Sequence, residues 1–189
     1  FSMPLSMLFA ALQFSAPKFI RYIFDIYAWI FRGTPLILQL IFFYYGLPLM
    51  TNNLIAFPAF TSAAITFILN YSAYLMEIFR AGIESIEKGQ FEAAYVLNLN
   101  RRQIMTRIIL PQAVRRVLPP LSNEAINLVK DTALVIVLGI GDLMLHAREI
   151  LTRDFKLLPF VIAGIIYLAF TSVLVLIFRR LEKKYVIRN

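Results

Sequence analysis

Apolar runs long enough to cross a bilayer alternate with short basic segments along this chain. Residues 34–76 hold no charged side chain, and such a run is too long for one membrane-spanning helix, which needs about 20 residues. The middle of the run has turn chemistry, with Thr51-Asn52-Asn53 lying between Pro48 and Pro58. We therefore predict two spans here, at 35–49 and 59–79.

Two further apolar runs follow, at 117–138 and 157–178. The second holds no charged residue and is the clearest predicted span in the chain. The first contains Glu124, Lys130 and Asp131. In a lone helix these charges would cost roughly 8–10 kcal/mol, against about 3–6 kcal/mol returned by the Leu, Ile and Val side chains. We expect this span to lie against protein or a water-filled cavity, or to place some charges near the membrane surface.

Residues 1–12 are apolar but too short to cross a bilayer. We expect them to be the end of a span whose first half precedes this sequence, and a short helix lying on the surface is the alternative. The pattern as a whole predicts an all-α integral membrane protein. Its fold would be a polytopic helical bundle of about five spans, the first incomplete, in a single domain over residues 1–189.

Composition narrows the possible chemistry. The chain is 60% hydrophobic and 16% charged, which is more apolar than ordinary soluble domains. It has no Cys, so disulfides, Cys-ligated zinc and thiol catalysis are excluded. The single His, His146, argues against a His-based metal site or a Ser-His-Asp triad. We expect neither catalytic nor metal-binding residues.

The basic residues predict the orientation of the chain. Fifteen of the eighteen Lys and Arg residues outside the apolar runs lie in alternate gaps, at 18–32, at 80–116 and after residue 178. Because Lys and Arg concentrate in cytoplasmic loops, we place these segments and the C-terminus on the cytoplasmic side of a bacterial plasma membrane. The net charge of +8 thus reflects topology, and we expect no nucleic-acid partner.

Residues 80–116, the basic loop, form a polar island in this sequence and predict two short helices. Asn98 is expected to separate them, because Asn can adopt the left-handed conformation that ends a helix. Pro111 is expected to stop or kink the second helix. One face of that helix is apolar, with Ile104, Met105, Ile108 and Ile109, and the residues away from it are Arg101, Arg102, Thr106 and Arg107. The pattern alone fits a plain helical hairpin as well as a docking element for another protein.

Several motifs in and around the loop resemble one family, the permease subunits of bacterial ABC importers. Glu92-Ala93-Ala94, followed by Asn98 where Gly is usual and then Ile109-Leu110-Pro111, is similar to the EAA loop of that family. Other motifs resemble its polar amino-acid branch, which includes histidine, glutamine and arginine permeases, and together they cover nearly the whole chain. They are Arg32-Gly33-Thr34-Pro35-Leu36, residues 70–80, Gly89-Gln90, Leu110-Pro111-Gln112-Ala113, Leu118-Pro119-Pro120 and Lys130-Asp131-Thr132.

The resemblance implies a set of partners and a mechanism. Two separate ATPase subunits would hold ATP and Mg²⁺, because this chain has no Gly-x4-Gly-Lys-Ser/Thr phosphate loop and no cofactor of its own. A second permease subunit, with a homodimer slightly favoured over a heterodimer, would form the path by alternating access, and an external binding protein would deliver the solute. The loop would provide the coupling helix. Its coupling residues would be Phe91, Glu92, Ala93, Ala94, Tyr95, Asn98 and Arg101.

The charged span is the candidate for binding cargo. On a helix Glu124, Asn127 and Asp131 share one face at i, i+3 and i+7. The family resemblance implies that Asn70 and Glu124 line a cavity near the middle of the membrane. We predict an amino-acid site of Asn70, Ser72, Glu124 and Asn127, with Gln39 a weaker candidate, although these groups could instead satisfy one another and partner subunits. Lys130-Asp131 is interpreted as structural or gating, and Glu77 with Arg80 as a surface ion pair.

Two other classes of function compete with an ATP-dependent permease subunit. An autonomous secondary transporter or channel for small polar solutes would predict inverted repeats or discontinuous spans in matching halves, and the sequence shows none. A membrane enzyme would need a clustered nucleophile, base or metal set, which one His and scattered carboxylates do not provide.

Overall fold

The computed structural model describes residues 1–185, apart from the side chains of residues 14 and 15. The helices are α1 (Ser2–Ser15), α2 (Lys18–Gly33), α3 (Leu36–Ile41), α4 (Leu47–Met50), α5 (Ala59–Glu84), α6 (Lys88–Val96), α7 (Arg101–Gln103), α8 (Leu110–Asp131), α9 (Leu143–Asp154) and α10 (Leu158–Tyr185). Two π-helical turns, Phe42–Gly46 and Ile104–Ile109, join α3 to α4 and α7 to α8. A 3-10 segment, Thr132–Leu138, continues α8.

Two of the described helices, α5 and α10, are long and apolar enough to cross a membrane. A third span results if Lys18–Gly33 and Leu36–Met50 are counted together as one bent pair. The helix α8 carries Glu124, Lys130 and Asp131, so its apolar content alone does not mark it as a span. The predicted fold class, an all-α integral membrane protein, is confirmed.

The bend between α2 and α3 is sharp, at 103°. Gly33-Thr34-Pro35 lies at the bend, where the sequence predicts a new element. Thr34 has an extended backbone, with φ −116° and ψ 147°, because the ring of Pro35 disfavours the helical conformation in the residue before it. The bend opens a wedge between the end of α2 and the start of α3.

The helix α5 lies at the centre of the bundle and packs against α1, α2, α3 and α8. It approaches α8 closely at Gly82, where a Cβ atom would overlap Cγ1 of Val117. Small residues let helix backbones approach closely inside membranes. One turn further, Arg116 donates a hydrogen bond to the carbonyl oxygen of Ser85. These contacts hold together the two helices that carry most of the predicted cargo residues.

The basic loop has a small core of its own. The side chains of Ile86, Ala94, Ile104 and Ile109 are buried together, and Ile83, Phe91, Leu99, Met105 and Ile108 pack against them. Asn98 is in the left-handed region at φ 55° and ends the turn after α6, as predicted. Asn100 and Gln103 then form a capping box at the start of α7. The apolar face predicted for the second helix therefore packs into the core of the basic loop.

Two predictions about α8 need correction. The prediction that Pro111 stops the second helix is wrong, because helical residues continue from the π turn Ile104–Ile109 into α8. The span predicted at 117–138 is not one uniform helix, since α8 already begins at Leu110 and becomes 3-10 after Asp131. Gly139, with φ 68°, ends that 3-10 segment in the left-handed conformation that Gly adopts readily.

Candidate functional site

A polar cavity of about 440 Å³ lies between the α2–α3 bend, α5 and α8. Each of the three elements contributes one wall. The cavity is lined by Arg32, Gly33, Thr34, Pro35, Leu36, Asn70, Tyr71, Tyr74, Glu124, Asn127 and Asp131.

The wall from α8 carries the face predicted from sequence spacing. Glu124, Asn127 and Asp131 are all partly buried and all line the cavity. Asp131 accepts a hydrogen bond of 2.7 Å from the hydroxyl of Tyr71 on α5. This bond ties the two walls together across the cavity, while Glu124 extends a carboxylate along the same wall.

The amide of Asn70 is held by a network behind the cavity wall. Its Nδ2 donates to the carbonyl oxygen of Phe31 and to Oε1 of Gln39, both at 3.0 Å. Nε2 of Gln39 in turn donates to Phe31 and to the carbonyl and hydroxyl oxygens of Thr34. Gln39 is 7% exposed and does not line the cavity, so it fixes the orientation of Asn70 from behind. Because both amide protons of Asn70 are used, its carbonyl oxygen is the group that it can offer to a ligand.

Ser72 lies outside the cavity lining, although it is only two residues from Asn70. Two residues along a helix turn the side chain by about 200°, which directs Ser72 to the opposite side of α5. There it is fully buried and shares a 2.6 Å hydrogen bond with the hydroxyl of Tyr27. The hydroxyl of Tyr27 also contacts the carbonyl oxygen of Leu69, so Ser72 belongs to the α2–α5 packing.

An ion network borders the cavity on the side of the α2–α3 bend. Glu77 is predicted as half of a surface pair, but its side chain is only 16% exposed and it contacts two arginines. Arg80 binds it with two hydrogen bonds, of 2.6 and 3.2 Å. Arg32 approaches the same carboxylate at 3.3 Å and lies over the ring of Tyr74, 5.5 Å from its centroid. The predicted ion pair of Glu77 and Arg80 is confirmed, but it is not a simple surface pair, because the end of α2 packs beside Glu77 and adds Arg32 to it.

Sequence reasoning did not select three of the lining side chains, Arg32, Tyr71 and Tyr74. Arg32 and the motif that follows it were noted only for their resemblance to a family. On a helical wheel Tyr74 lies next to Asn70 at i+4, and Tyr71 lies next to Tyr74 at i+3, so this side of α5 could have been found from spacing. No local signal indicates Arg32, because its position depends on how α2 folds back against α5.

The candidate coupling residues divide into buried and exposed groups. Ala94 is 1% exposed and Phe91 packs beside it, so both support the core of the basic loop. The exposed members are Glu92, Ala93, Tyr95, Asn98 and Arg101. Next to them lies an apolar tip that the sequence did not single out, with Val96 at 85% and Leu97 at 70% exposure. The loop therefore presents a mixed apolar and polar surface beside its left-handed turn.

Within residues 1–185, no group of three or more acidic or His side chains is arranged to hold a metal ion. A bent helix pair, a polar cavity beside it and a structured loop on the helix that lines the cavity define a polytopic membrane permease. The chain belongs to the family of binding-protein-dependent transport system inner membrane components, whose sequence profile matches residues 2–187. The predicted family is confirmed, and the chain is an inner membrane protein.

Named relatives agree with this assignment. The chain is 42% identical over 156 residues to the glutamine transport system permease protein of Escherichia coli (strain K12), covering 82% of this chain and 71% of that protein. It is 41% identical over 164 residues to the arginine transport system permease protein of Bacillus subtilis (strain 168), covering 86% and 74%. The crystal structure of an amino acid ABC transporter with histidines superposes with a TM-score of 0.89 at 33% identity, covering 97% of this chain and 85% of that one.

Proposed function

We propose that this chain is the permease subunit of an ATP-driven amino-acid importer and forms the translocation path by alternating access. The observation that carries the proposal is the polar cavity at α8 in a chain of this family. Glu124, Asn127 and Asp131 lie on a helix that is continuous, through a π turn, with the basic loop. The partner surface on α6 is thus joined to the wall of the cargo cavity, because α6 packs on the π turn at the start of this helical element. The whole chain acts as one transmembrane domain, with residues 80–116 as its coupling loop.

The cavity chemistry suits a small polar zwitterion. Glu124 supplies a carboxylate for an ammonium or guanidinium group, and the carbonyl oxygen of Asn70 accepts from the same end of the cargo. Asn127 offers an amide beside them. Gln39 takes part by holding Asn70, and Ser72 by fixing α5 against α2. Glutamine and arginine, the solutes in the names of the two relatives, are the first candidates for cargo.

Nucleotide chemistry is assigned to partner subunits. Two ATPase subunits hold ATP and Mg²⁺, and this chain contributes no catalytic residue. The exposed loop residues Glu92, Tyr95 and Arg101, with Val96 and Leu97, form the contact with an ATPase, and this loop and the C-terminus lie on the cytoplasmic side. An external binding protein delivers the amino acid, and a second permease subunit, another copy of this chain, completes the path.

The test is uptake into proteoliposomes that hold the permease with its ATPase and external binding protein. We expect ATP-driven uptake of L-glutamine or L-arginine by the wild-type assembly. Glu124→Gln removes the carboxylate charge, and loss of a charged hydrogen bond of about 1.5–3 kcal/mol weakens cargo binding roughly 10- to 100-fold. Assembly and basal ATP turnover should persist. Glu182→Gln, the same chemical change on α10 outside the cavity lining, is the matched control.

Coupling is tested by co-purification with the ATPase. The charge reversals Glu92→Arg and Arg101→Glu should reduce the amount of ATPase retained, whereas Glu182→Gln should not. Unchanged cargo binding in Glu124→Gln would refute the role of this cavity. Uptake driven by an ion gradient, in the absence of any ATPase, would instead establish an autonomous secondary transporter.

A further inference from the structure

Hydrogen-bond donors in the cavity are scarce, because most are used within the protein. Among the lining residues, the hydroxyl of Thr34 donates to the carbonyl oxygen of Ile30 and the hydroxyl of Tyr71 to Asp131. The hydroxyl of Tyr74 is directed at the carbonyl oxygen of Arg32, and the amide of Asn70 is fully used. The lining side chains with donors to spare for a ligand are Arg32 and Asn127.

Arg32 is the positively charged side chain among the lining residues. Glu77, which it contacts, also has a second arginine partner. Its contact with Glu77 is a single approach of 3.3 Å, and its side chain is 43% exposed. Glu77 keeps two hydrogen bonds from Arg80 whether or not Arg32 stays. Removing the only partner of a buried carboxylate would be costly, but here the second arginine remains in place. Turning toward a ligand would cost Arg32 this contact and its place over the ring of Tyr74, but would leave Glu77 paired with Arg80.

The charges of the cavity are arranged in two poles. The positive pole is Arg32 at the α2–α3 bend, and the negative pole is Glu124 with Asp131 on the facing wall of α8. A free amino acid carries a carboxylate and an ammonium group and matches such an arrangement in one orientation. Guanidinium groups bind carboxylates through paired, planar hydrogen bonds, which fix orientation as well as affinity.

We propose that Arg32 binds the α-carboxylate of the transported amino acid, exchanging its contact with Glu77 for the cargo. This inference rests on the proposed function. The nitrogen-bearing end of the cargo then points to Glu124 and the carbonyl oxygen of Asn70. Arg32 is thus a specificity-determining residue that requires an α-carboxylate, whereas Glu124 acts on the opposite end.

The experiment compares ligands with and without the carboxylate. L-arginine is paired with agmatine, and L-glutamine with 4-aminobutanamide, each pair differing by the α-carboxylate alone. Binding is measured by calorimetry on the purified permease–ATPase assembly without the external binding protein, so that only this cavity is probed. We expect Arg32→Gln to weaken binding of the preferred amino acid roughly 10- to 100-fold. Its effect on the decarboxylated partner should be less than about threefold, because that ligand has no carboxylate for Arg32 to bind.

Two further variants test the exchange and the carboxylate contact. Arg80→Gln removes the arginine that keeps Glu77 paired when Arg32 leaves, so this variant should weaken binding of the amino acid more than binding of its decarboxylated analogue. Arg32→Lys should recover part of the affinity for the amino acid, since it keeps the charge but not the planar pair of donors. The thermal midpoint of each assembly identifies variants that fail to fold. If Arg32→Gln fails to fold, the same ligand comparison is made with Arg32→Lys.

The outcomes distinguish this inference from the proposed function. Equal weakening of the amino acid and its decarboxylated analogue by Arg32→Gln would overturn the role of Arg32 and leave the importer intact. Wild-type assembly that binds neither amino acid would overturn both the cargo cavity and the role of Arg32. Preferential loss for the carboxylate-bearing ligand, with Glu124→Gln acting on both ligands of the pair, would support the assignment of the two poles.

Discussion

The contact between Gly82 and Val117 gives a quantitative test of how α5 and α8 are held together. Gly82→Ala adds a Cβ that would overlap Cγ1 of Val117, a side chain that is 4% exposed. Overpacking of this kind costs about 1–3 kcal/mol. Replacing Gly by Ala in a helix returns about 0.8–1 kcal/mol, so the expected net loss of stability is roughly 0–2 kcal/mol.

A double-mutant cycle isolates the overlap from the helix propensity. Val117→Ala alone removes buried methyl groups and is destabilising, but in Gly82→Ala/Val117→Ala the new Cβ occupies space that the valine has vacated. We expect the double variant to be at least about 1 kcal/mol more stable than the sum of the single changes predicts. For a chain of this size, 1 kcal/mol corresponds to a shift of roughly 2–4 °C in the thermal midpoint.

The assay is the thermal midpoint of the purified permease in detergent, followed by size-exclusion chromatography. Gly164→Ala on α10 is the matched control, because no heavy atom lies within 4 Å of the Cβ that it would add. That variant should be stabilised by about 0.8–1 kcal/mol, so Gly82→Ala should be about 1–3 kcal/mol less stable than this control. Additive effects of the two changes at Gly82 and Val117 would refute the reasoning, and so would a Gly82→Ala variant as stable as the control.

Two further substitutions test the basic loop and the cavity. Asn98→Val places a β-branched residue at φ 55° and should destabilise the loop by about 1–2 kcal/mol. The loop should then be cleaved faster by protease and should retain less ATPase in co-purification. Asn98→Gly should match the wild type in both measurements. Equal behaviour of the two variants would contradict the need for a left-handed residue. Tyr71→Phe removes the 2.7 Å hydrogen bond to Asp131 and should lower stability by about 1.5–3 kcal/mol, measured by thermal unfolding. Tyr22→Phe, at an exposed position, is the control. Equal thermal midpoints for the two variants would contradict the prediction.

The features that follow from local rules could be predicted from the sequence. The left-handed backbone at Asn98 could be predicted because Asn adopts that conformation at lower cost than most other residues. The shared face of Glu124, Asn127 and Asp131 follows from the helical repeat. The break at Gly33-Thr34-Pro35 follows from the steric restriction that proline imposes on its predecessor.

The features that depend on the tertiary fold could not be predicted from the sequence. The helical repeat places Ser72 away from Asn70, but nothing local reveals that the hydroxyls of Ser72 and Tyr27 share a hydrogen bond. The use of both Asn70 amide protons depends on Phe31 and Gln39, which lie 39 and 31 residues away in sequence. The sequence predicts that Pro111 stops or kinks a helix, but nothing local indicates the π turn before α8, through which the helix continues. The burial of Glu77 required knowing where α2 ends.

The π turn Ile104–Ile109 has a geometric consequence for the whole molecule. Helical residues run without interruption from Arg101 to Asp131, so the angular position of Glu124 around its axis is set by the number of residues that separate it from the loop core. One residue inserted or deleted between them in α geometry would turn the acidic wall by about 100° and away from the cavity. The number of residues between the loop core and Glu124 thus fixes which way the acidic wall faces relative to the partner surface.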